Sequence, residues 1–368
     1  MISKIEGTMG ILVAASNNNP LLFSESGFVR KLCLTAAGRG LTIFAFTPQA
    51  VTEANRIHGY TYQDGMWVIK AFPFPDIVYD RCFAKGEQKI EKRRKLALLA
   101  RKRPFRYLTR GLAGKWSVYE TLKLFDETAP YLPETCLYTK AEQLAAKLFR
   151  WKGEAFLKPQ FGTHGKMTLH VRDGRSGEGR IQLTGRDSRN TVFNRQFASI
   201  REAARFIEMF RRGRSFLLQP YLQLSTKEGE PFDIRVLMQK GADGRWSMTG
   251  MAARVGKSDS LTSNLHGGGR AFRASQLLKR EFGAQSAKSV LTAIRRLAAV
   301  IPPYLEEHFG RLAELGIDFG VDSEENVWIL EVNSKPGRSA FGFIGDMNSA
   351  RKAVENPILY ACHLLKQS

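Results

Sequence analysis

Apolar and polar residues alternate along 317–321, where Ile317, Phe319 and Val321 share one side and Asp318 and Gly320 the other. The same period returns after a short polar turn, with Trp328, Leu330 and Val332 set against Glu331 and Asn333. A period of two is that of a strand with one apolar face, so the segment predicts a β-hairpin. With residues 323–326 as its loop, the register puts Asp318 across from Glu331, their Cβ atoms about 5 Å apart. A second hairpin is predicted from residues 233–237 and 248–254 around a loop at 242–245, with Asp233 facing Arg254 and Arg235 next along the same side. Short apolar runs predict strands at 9–16, 41–46, 67–71 and 77–79, and a helix at 26–37 completes the opening of an α/β layer. Helical patterns follow at 88–102, ended by Pro104, and at 116–125 and 141–149.

At 368 residues the chain exceeds one ordinary compact core, and two or three units are expected. Pro104, Gly111 and Gly114 suggest a boundary at 104–114. The formal net charge of +21 is unevenly spread: residues 85–115 carry twelve Lys and Arg against two Glu. Such a stretch is either a helix with a solvated basic face or a surface for a polyanion, for which nucleic acid, anionic polymer, acidic lipid and acidic substrate are all candidates. Its aromatics are few, Phe105 and Tyr107, which gives base stacking little support.

Cys33, Cys82, Cys136 and Cys362 are scattered without paired spacing, which favours a reducing compartment and a cytoplasmic protein. The first residues lack a signal-peptide apolar run and no stretch is long enough for a membrane span. The spacing of His164 and His170 across a Gly turn does not suit zinc.

Asp318 and Glu331, placed side by side, repel unless a hard cation takes both carboxylates together with the Asn333 oxygen, and magnesium completed by nucleotide phosphates prefers such a shell. The same residues would also make an ordinary solvated hairpin face. Residues 155–159 form a strand ending in Lys158 and Pro159, and Gly162, Thr163, Gly165 and Lys166 make a flexible turn into a strand at 167–171. Glycines let backbone N–H groups approach phosphate oxygens, and a lysine supplies the point charge. A plain β-turn is the alternative. An apolar strand over 216–219 stops at Pro220, Tyr221 and Leu222, where backbone groups could meet an adenine edge. Two guanidiniums with Asp233 suit a phosphoryl group or an acyl phosphate, or else a structural ion-pair network. Residues 262–269 form a Gly-rich loop whose amide, Asn264, and backbone donors could hold an oxyanion.

In chain order, Lys115, Lys158-Pro159 with the Gly turn, Gln219-Pro220-Tyr221-Leu222, Asp233-x-Arg235, Arg254, Asn264-Leu-His-Gly-Gly and Asp318 with Glu331-x-Asn333 resemble the ATP-grasp superfamily. Lys115-Trp-Ser-Val-Tyr-Glu-Thr-Leu, Leu132-Pro-Glu-Thr, Pro231-Phe-Asp-Ile-Arg-Val-Leu and Trp246-Ser-Met-Thr-Gly-Met are similar to the YheC/YheD-type endospore coat-associated proteins. The resemblance implies an α/β and α+β chain: a Rossmann-like pre-ATP-grasp domain at 1–112, then an ATP-grasp domain at 113–368 with a central lid at 153–216 and a C-terminal subdomain at 217–368. It implies phosphate contacts from Lys115, Lys158 and the turn residues Gly162, Thr163, Gly165 and Lys166. Residues Gln219 to Leu222 become the adenine hinge, Asp318, Glu331 and Asn333 the magnesium ligands, and Arg235, Arg254 and Asn264 the groups around an acyl phosphate. The implied activity is an ATP- and Mg-dependent ligase joining a small carboxylate or peptide to an amine. The alternative is a non-catalytic nucleotide-binding spore coat or assembly protein whose basic surface, at 85–115, holds anionic polymer. The family places a third glycine in the turn where this chain has Met167, a change expected to stiffen the cover over the phosphates.

Overall fold

The computed structural model describes residues 7–16, 23–84, 86–162, 165–174, 180–257, 263 and 268–367, and the elements below are those of these residues. The first sheet contains β1 (Gly7–Leu12), β2 (Leu41–Phe46), β3 (Ile57–Gln63), β4 (Met66–Phe72), β5 (Ile77–Asp80) and β6 (Arg106–Thr109), in the order β4-β3-β2-β1-β5-β6. β2, β1, β5 and β6 run parallel, and β3 and β4 add an antiparallel hairpin at the β2 edge. The crossovers are α1 (Ser26–Ala36) and α2 (Glu87–Lys102). β1, β2 and β5 read as nearly unbroken apolar runs because they are covered on both faces. Successive strands leave β1 in opposite directions, so a crevice opens at the carboxyl ends of β1 and β5.

The second sheet follows α3 (Lys115–Lys123). It comprises β7 (Cys136–Leu137), β8 (Glu154–Pro159), β9 (Leu169–Asp173), β10 (Ile181–Arg186), β11 (Val192–Phe197) and β12 (Phe216–Pro220), ordered β11-β10-β9-β8-β12-β7. Helices α4 (Ala141–Arg150) and α5 (Ile200–Arg211) bury Leu144, Leu148, Ala203 and Ile207 against one face. Ser199 caps α5 by accepting from the Glu202 amide. The sequence places a strand start at Met167, but β9 begins at Leu169. Met167 has a φ of 62°, a left-handed conformation that cannot sit in a strand ladder.

The third sheet has β13 (Phe232–Lys240), β14 (Trp246–Val255), β15 (Arg270–Phe272), β16 (Glu314–Val321) and β17 (Val327–Asn333), ordered β15-β14-β13-β16-β17. Helices α6 (Ala274–Phe282) and α7 (Ala284–Phe309) pack on one face, with Ile294, Leu297 and Ile301 against Ile234, Ile317 and Phe319. After α8 (Ser339–Phe343), the last helix, α9 (Met347–Lys366), returns to the first sheet and buries Ile358, Ala361 and Leu364 with Met9 and Ile11. One core therefore draws on both ends of the chain.

A buried charge cluster joins the first and third sheets at the β1/β5 crevice. Glu314, fully buried, accepts from Arg81 Nη1 at 3.0 Å, Gln239 Nε2 at 3.1 Å, the Tyr79 hydroxyl and Arg338. Arg81 also grips Glu25 with two bonds of 2.7 Å. Burial alone would raise the Glu314 carboxyl, but the guanidiniums of Arg338 and Arg81 outweigh it and hold the group below the usual carboxylate range. Replacing Glu314 with Gln leaves two buried guanidiniums under-compensated, and urea unfolding at neutral pH is expected to show a loss of about 3–5 kcal/mol. The Glu314 contribution is complete above its unfolded pKa of about 4.3 and is lost as pH falls through the lower folded value, so wild type and variant converge in acid.

Candidate functional site

Strand alternation sends Asp233 and Arg235 of β13, Arg254 of β14 and Asp318 of β16 to the face of the third sheet opposite α6 and α7. Asp233 stands across from Arg254, Arg235 from Asp318, and Asp318 from Glu331. Arg254 donates to Asp233 through bonds of 2.7 and 2.6 Å and reaches Asp318 at 3.1 Å. Arg235 holds Asp318 with two bonds, through Nε and through Nη2 at 2.9 Å, and the Ser263 hydroxyl donates to Asp233. Two acids and two guanidiniums thus form a neutral buried quartet. Burial would raise Asp318, yet Arg235 and Arg254 hold it below the usual range. Asp233 is pushed up by burial, and the nearby Asp318 charge adds to this against the pull of Arg254.

Both hairpins reach the expected pairings by an unexpected route. Each connection, 241–245 and 322–326, is one residue longer than the sequence suggests, and each ladder contains a one-residue bulge that restores the register. In β17 the extra residue is Leu330, between Ile329, paired with Phe319, and Glu331, paired with Asp318. The bulge reverses the alternation. Val327, Ile329 and Val332 enter the core, whereas Trp328 and Leu330 do not, which corrects the sequence reading that put Trp328, Leu330 and Val332 on one apolar face. Without the bulge, Asp318 would face Leu330 and Glu331 would point into the core.

The bulge also frees a carbonyl. Lys158, at the end of β8, donates to Leu330 O at 3.1 Å across the gap between the second and third sheets. Burial pushes its ammonium down to about 8, against the attraction of Glu331. Lys115, the first residue of α3, donates to Gly162 O at 2.9 Å and lies 3.7 Å from Glu331. Lys115, Lys158, Gln219 and Glu331 line one narrow cleft with Val118, Leu217, Ile329 and Val332. Its free volume is about 30 Å³, room for about one water.

The remaining expected positions separate into groups. Gln219 is buried and donates to Thr135 Oγ1 at 2.6 Å. Pro220 pairs with Ala155, and the Tyr221 ring stacks on His170 at 3.7 Å. Gly165 has a φ of 64°, the Lys166 side chain is exposed, and Thr163 and Asn264 lie outside the described residues. Asn333 ends β17 opposite Gly316 on a half-buried position. Among the described residues no three His, Cys, Asp or Glu side chains gather as a metal site. Tyr119, Leu132, Pro133 and Thr135 line the cleft without having been singled out. Their signal was present in the Lys115-Trp-Ser-Val-Tyr and Leu132-Pro-Glu-Thr strings, but it carried no chemistry of its own.

A family model described as YheC/D-like ATP-grasp matches residues 105–364. The chain belongs to that family. It is similar to the endospore coat-associated protein YheC of Bacillus subtilis (strain 168), 29% identical over 320 residues covering 86% of each chain. Among solved structures it resembles the D-cycloserine synthetase DcsG, with a TM-score of 0.55, 14% identity and coverage of 97% of this chain and 100% of that one. It also resembles the D-alanine-D-alanine ligase from Coxiella burnetii, with a TM-score of 0.53, 11% identity and coverage of 98% and 97%. These likenesses fix the ATP-grasp fold. Among the described residues, no helix is long and apolar enough to cross a membrane.

The quartet makes Arg254 a folding residue whatever else it does. Arg254→Met leaves Asp233 and part of Asp318 uncompensated in a buried site, and urea unfolding is expected to show a loss on the order of 3–5 kcal/mol.

Proposed function

We propose that this ATP-grasp protein is an ATP- and magnesium-dependent ligase that joins a small carboxylate or peptide to an amine-type nucleophile and acts in association with the spore. The observation that carries the reading is the convergence of Lys158, Lys115 and Glu331 on one cleft beside the Asp318–Arg235–Arg254 cluster. In this reading residues 1–112 are the pre-ATP-grasp domain and 113–368 the grasp, with 153–216 as its lid and 217–368 as its C-terminal subdomain. The spore association is drawn from the likeness to the endospore coat-associated protein YheC.

The substrate carboxylate oxygen attacks the γ-phosphorus as ADP leaves. The amine nitrogen then attacks the acyl carbon, the bond from that carbon to the phosphate oxygen breaks, and the departing inorganic phosphate takes the amine's proton. Lys158 and Lys115 neutralise phosphate charge, Gly162, Thr163, Gly165 and Lys166 cover it, and Gln219 to Leu222 form the hinge beside the adenine. Arg235, Arg254 and Asn264 stabilise the acyl phosphate. Asp318, Glu331 and Asn333 fit magnesium by donor chemistry, being two carboxylates and an amide on hard oxygen atoms. When bound there, magnesium supplies charge neutralisation across the phosphates. Asp318 enters this set with Arg235 and Arg254 already on it, which leaves Glu331 and Asn333 as its least committed members. Lys158 and Lys115 already donate to Leu330 O and Gly162 O, so phosphates that take these two ammonium groups displace those bonds.

Calorimetry with ATP and magnesium tests the reading. Glu331→Gln and Lys158→Met, checked for folding by circular dichroism, are expected to weaken binding about tenfold or more, and ADP release with the competent substrates is expected to fall about 10²–10³-fold. Full turnover by Glu331→Gln overturns the metal assignment. Because the free protein's Lys158 loses its proton near pH 8, wild-type affinity is expected to decline as pH rises through that value, with proton uptake on binding. Lys158→Met is expected to lose this dependence.

A further inference from the structure

In the folded chain some cations of the basic run 85–115 pair with carboxylates and others do not. Lys92 pairs with Asp80 at 2.7 Å, Arg103 with Asp76 at 2.5 Å, and Lys102 with Glu53 at 3.2 Å, while Lys95 donates to Val51 O at 2.7 Å. Arg93, Arg106 and Arg110 pair with no carboxylate among the described residues. These three line one groove beside α2 and β6, and Arg311, from the turn between α7 and β16, closes its far side. No acidic side chain among the described residues lines it.

The groove's floor is built to present these groups. Arg106 is tied by a 2.6 Å bond from one guanidinium nitrogen to Leu364 O, which leaves its other donors available. The Arg110 amide donates to Arg311 O at 2.9 Å, and this bond fixes the two arginines next to each other. Gly310, with a φ of 78°, lies directly under Arg110, where an added Cβ would come within 3.4 Å of the Arg110 Cδ. Phe105 and Tyr107, with ring centroids 4.9 Å apart, form an apolar wall, and the Arg110 guanidinium lies 5.9 Å from the Tyr107 ring. The groove holds about 780 Å³, within the roughly 300–1,000 Å³ of small-molecule pockets, and shares no lining residue with the Lys158 cleft.

We propose that this groove is a second binding site, for a small anion carrying two or more phosphate groups. Guanidinium forks match phosphate oxygens bidentately, and four of them without an acid among them select for multiple negative charge. The four arginines come together where α2 meets β6 and the 310–311 turn, not along the length of the helix, a placement that suits a compact ligand. This site is independent of the ligase reading.

Inorganic tripolyphosphate, titrated calorimetrically into the full chain at physiological salt, tests the assignment. Arg93 and Arg311 are both exposed, so Arg93→Gln/Arg311→Gln is expected to keep the wild-type melting temperature and the Lys158-dependent component of ATP binding while its tripolyphosphate affinity falls about tenfold or more. Lys158→Met is expected to leave tripolyphosphate binding at the groove intact, and Arg93→Lys/Arg311→Lys to recover part of the loss. Unchanged affinity in the double Gln variant, or loss of all binding in Lys158→Met, overturns the proposal. A single-stranded oligonucleotide that binds where tripolyphosphate does not also overturns it, and assigns the face to nucleic acid.

Discussion

A carboxylate with almost no solvent contact, Glu314, receives two guanidiniums, a phenol and an amide from three separated parts of the chain. A charge so buried is tolerated only when it is paired and its lone pairs are filled, and here the donors can be supplied only if the first sheet, β13 and the segment after β17 are docked together. Tyr79 and Arg81 come from the carboxyl end of β5, Gln239 from β13, and Arg338 from the turn leading to α8. The requirement to satisfy one acid therefore sets how the parallel sheet meets the antiparallel one.

The consequences reach the cleft through the segment between Asn333 and Arg338. Ser334 Oγ accepts from the Leu112 amide at 2.9 Å, and Lys335 donates to Asp80 at 2.9 Å and to Cys82 O at 2.7 Å. Burial would raise Asp80, but Lys335 and Lys92 hold it down, so this second acid at the crevice also remains charged. Asn333 is thus followed directly by residues anchored to the first sheet. The quartet of Asp233, Arg254, Arg235 and Asp318 anchors the other side. Between these two charge-paired flanks, Lys158 crosses to Leu330 O by one bond, and Lys115 meets the second sheet through its amide to Gln160 O and its ammonium to Gly162 O.

Met167 shows the same economy at the turn. A glycine is the residue that takes a left-handed φ without strain, and the chain keeps that φ at 62° with a methionine in place. Its side chain is buried with Leu169 and Val171 in the core of the second sheet. Packing offsets a conformational cost of about 1–2 kcal/mol, and the turn becomes part of the core it covers.

Much of this was legible in the sequence because it depends on local periodicity. The period-two runs placed β16 and β17 and the Asp318–Glu331 pair, and the apolar blocks placed β2, β5 and β12. Two things could not be read there. A bulge is one residue whose position no hydropathy pattern marks, yet the bulge at Leu330 offsets the longer turn, restores the register in which Glu331 faces Asp318 and supplies the carbonyl that Lys158 takes. The partner of a charge is likewise a matter of distance in space. Sequence spacing set Asp318 beside Glu331 and called for a cation, while tertiary packing brought the guanidiniums of Arg235 and Arg254 onto Asp318 and divided the basic run into paired cations and an arginine-lined groove. Periodicity is fixed by the backbone's own geometry, and pairing by which surfaces the folded core brings within a few ångströms.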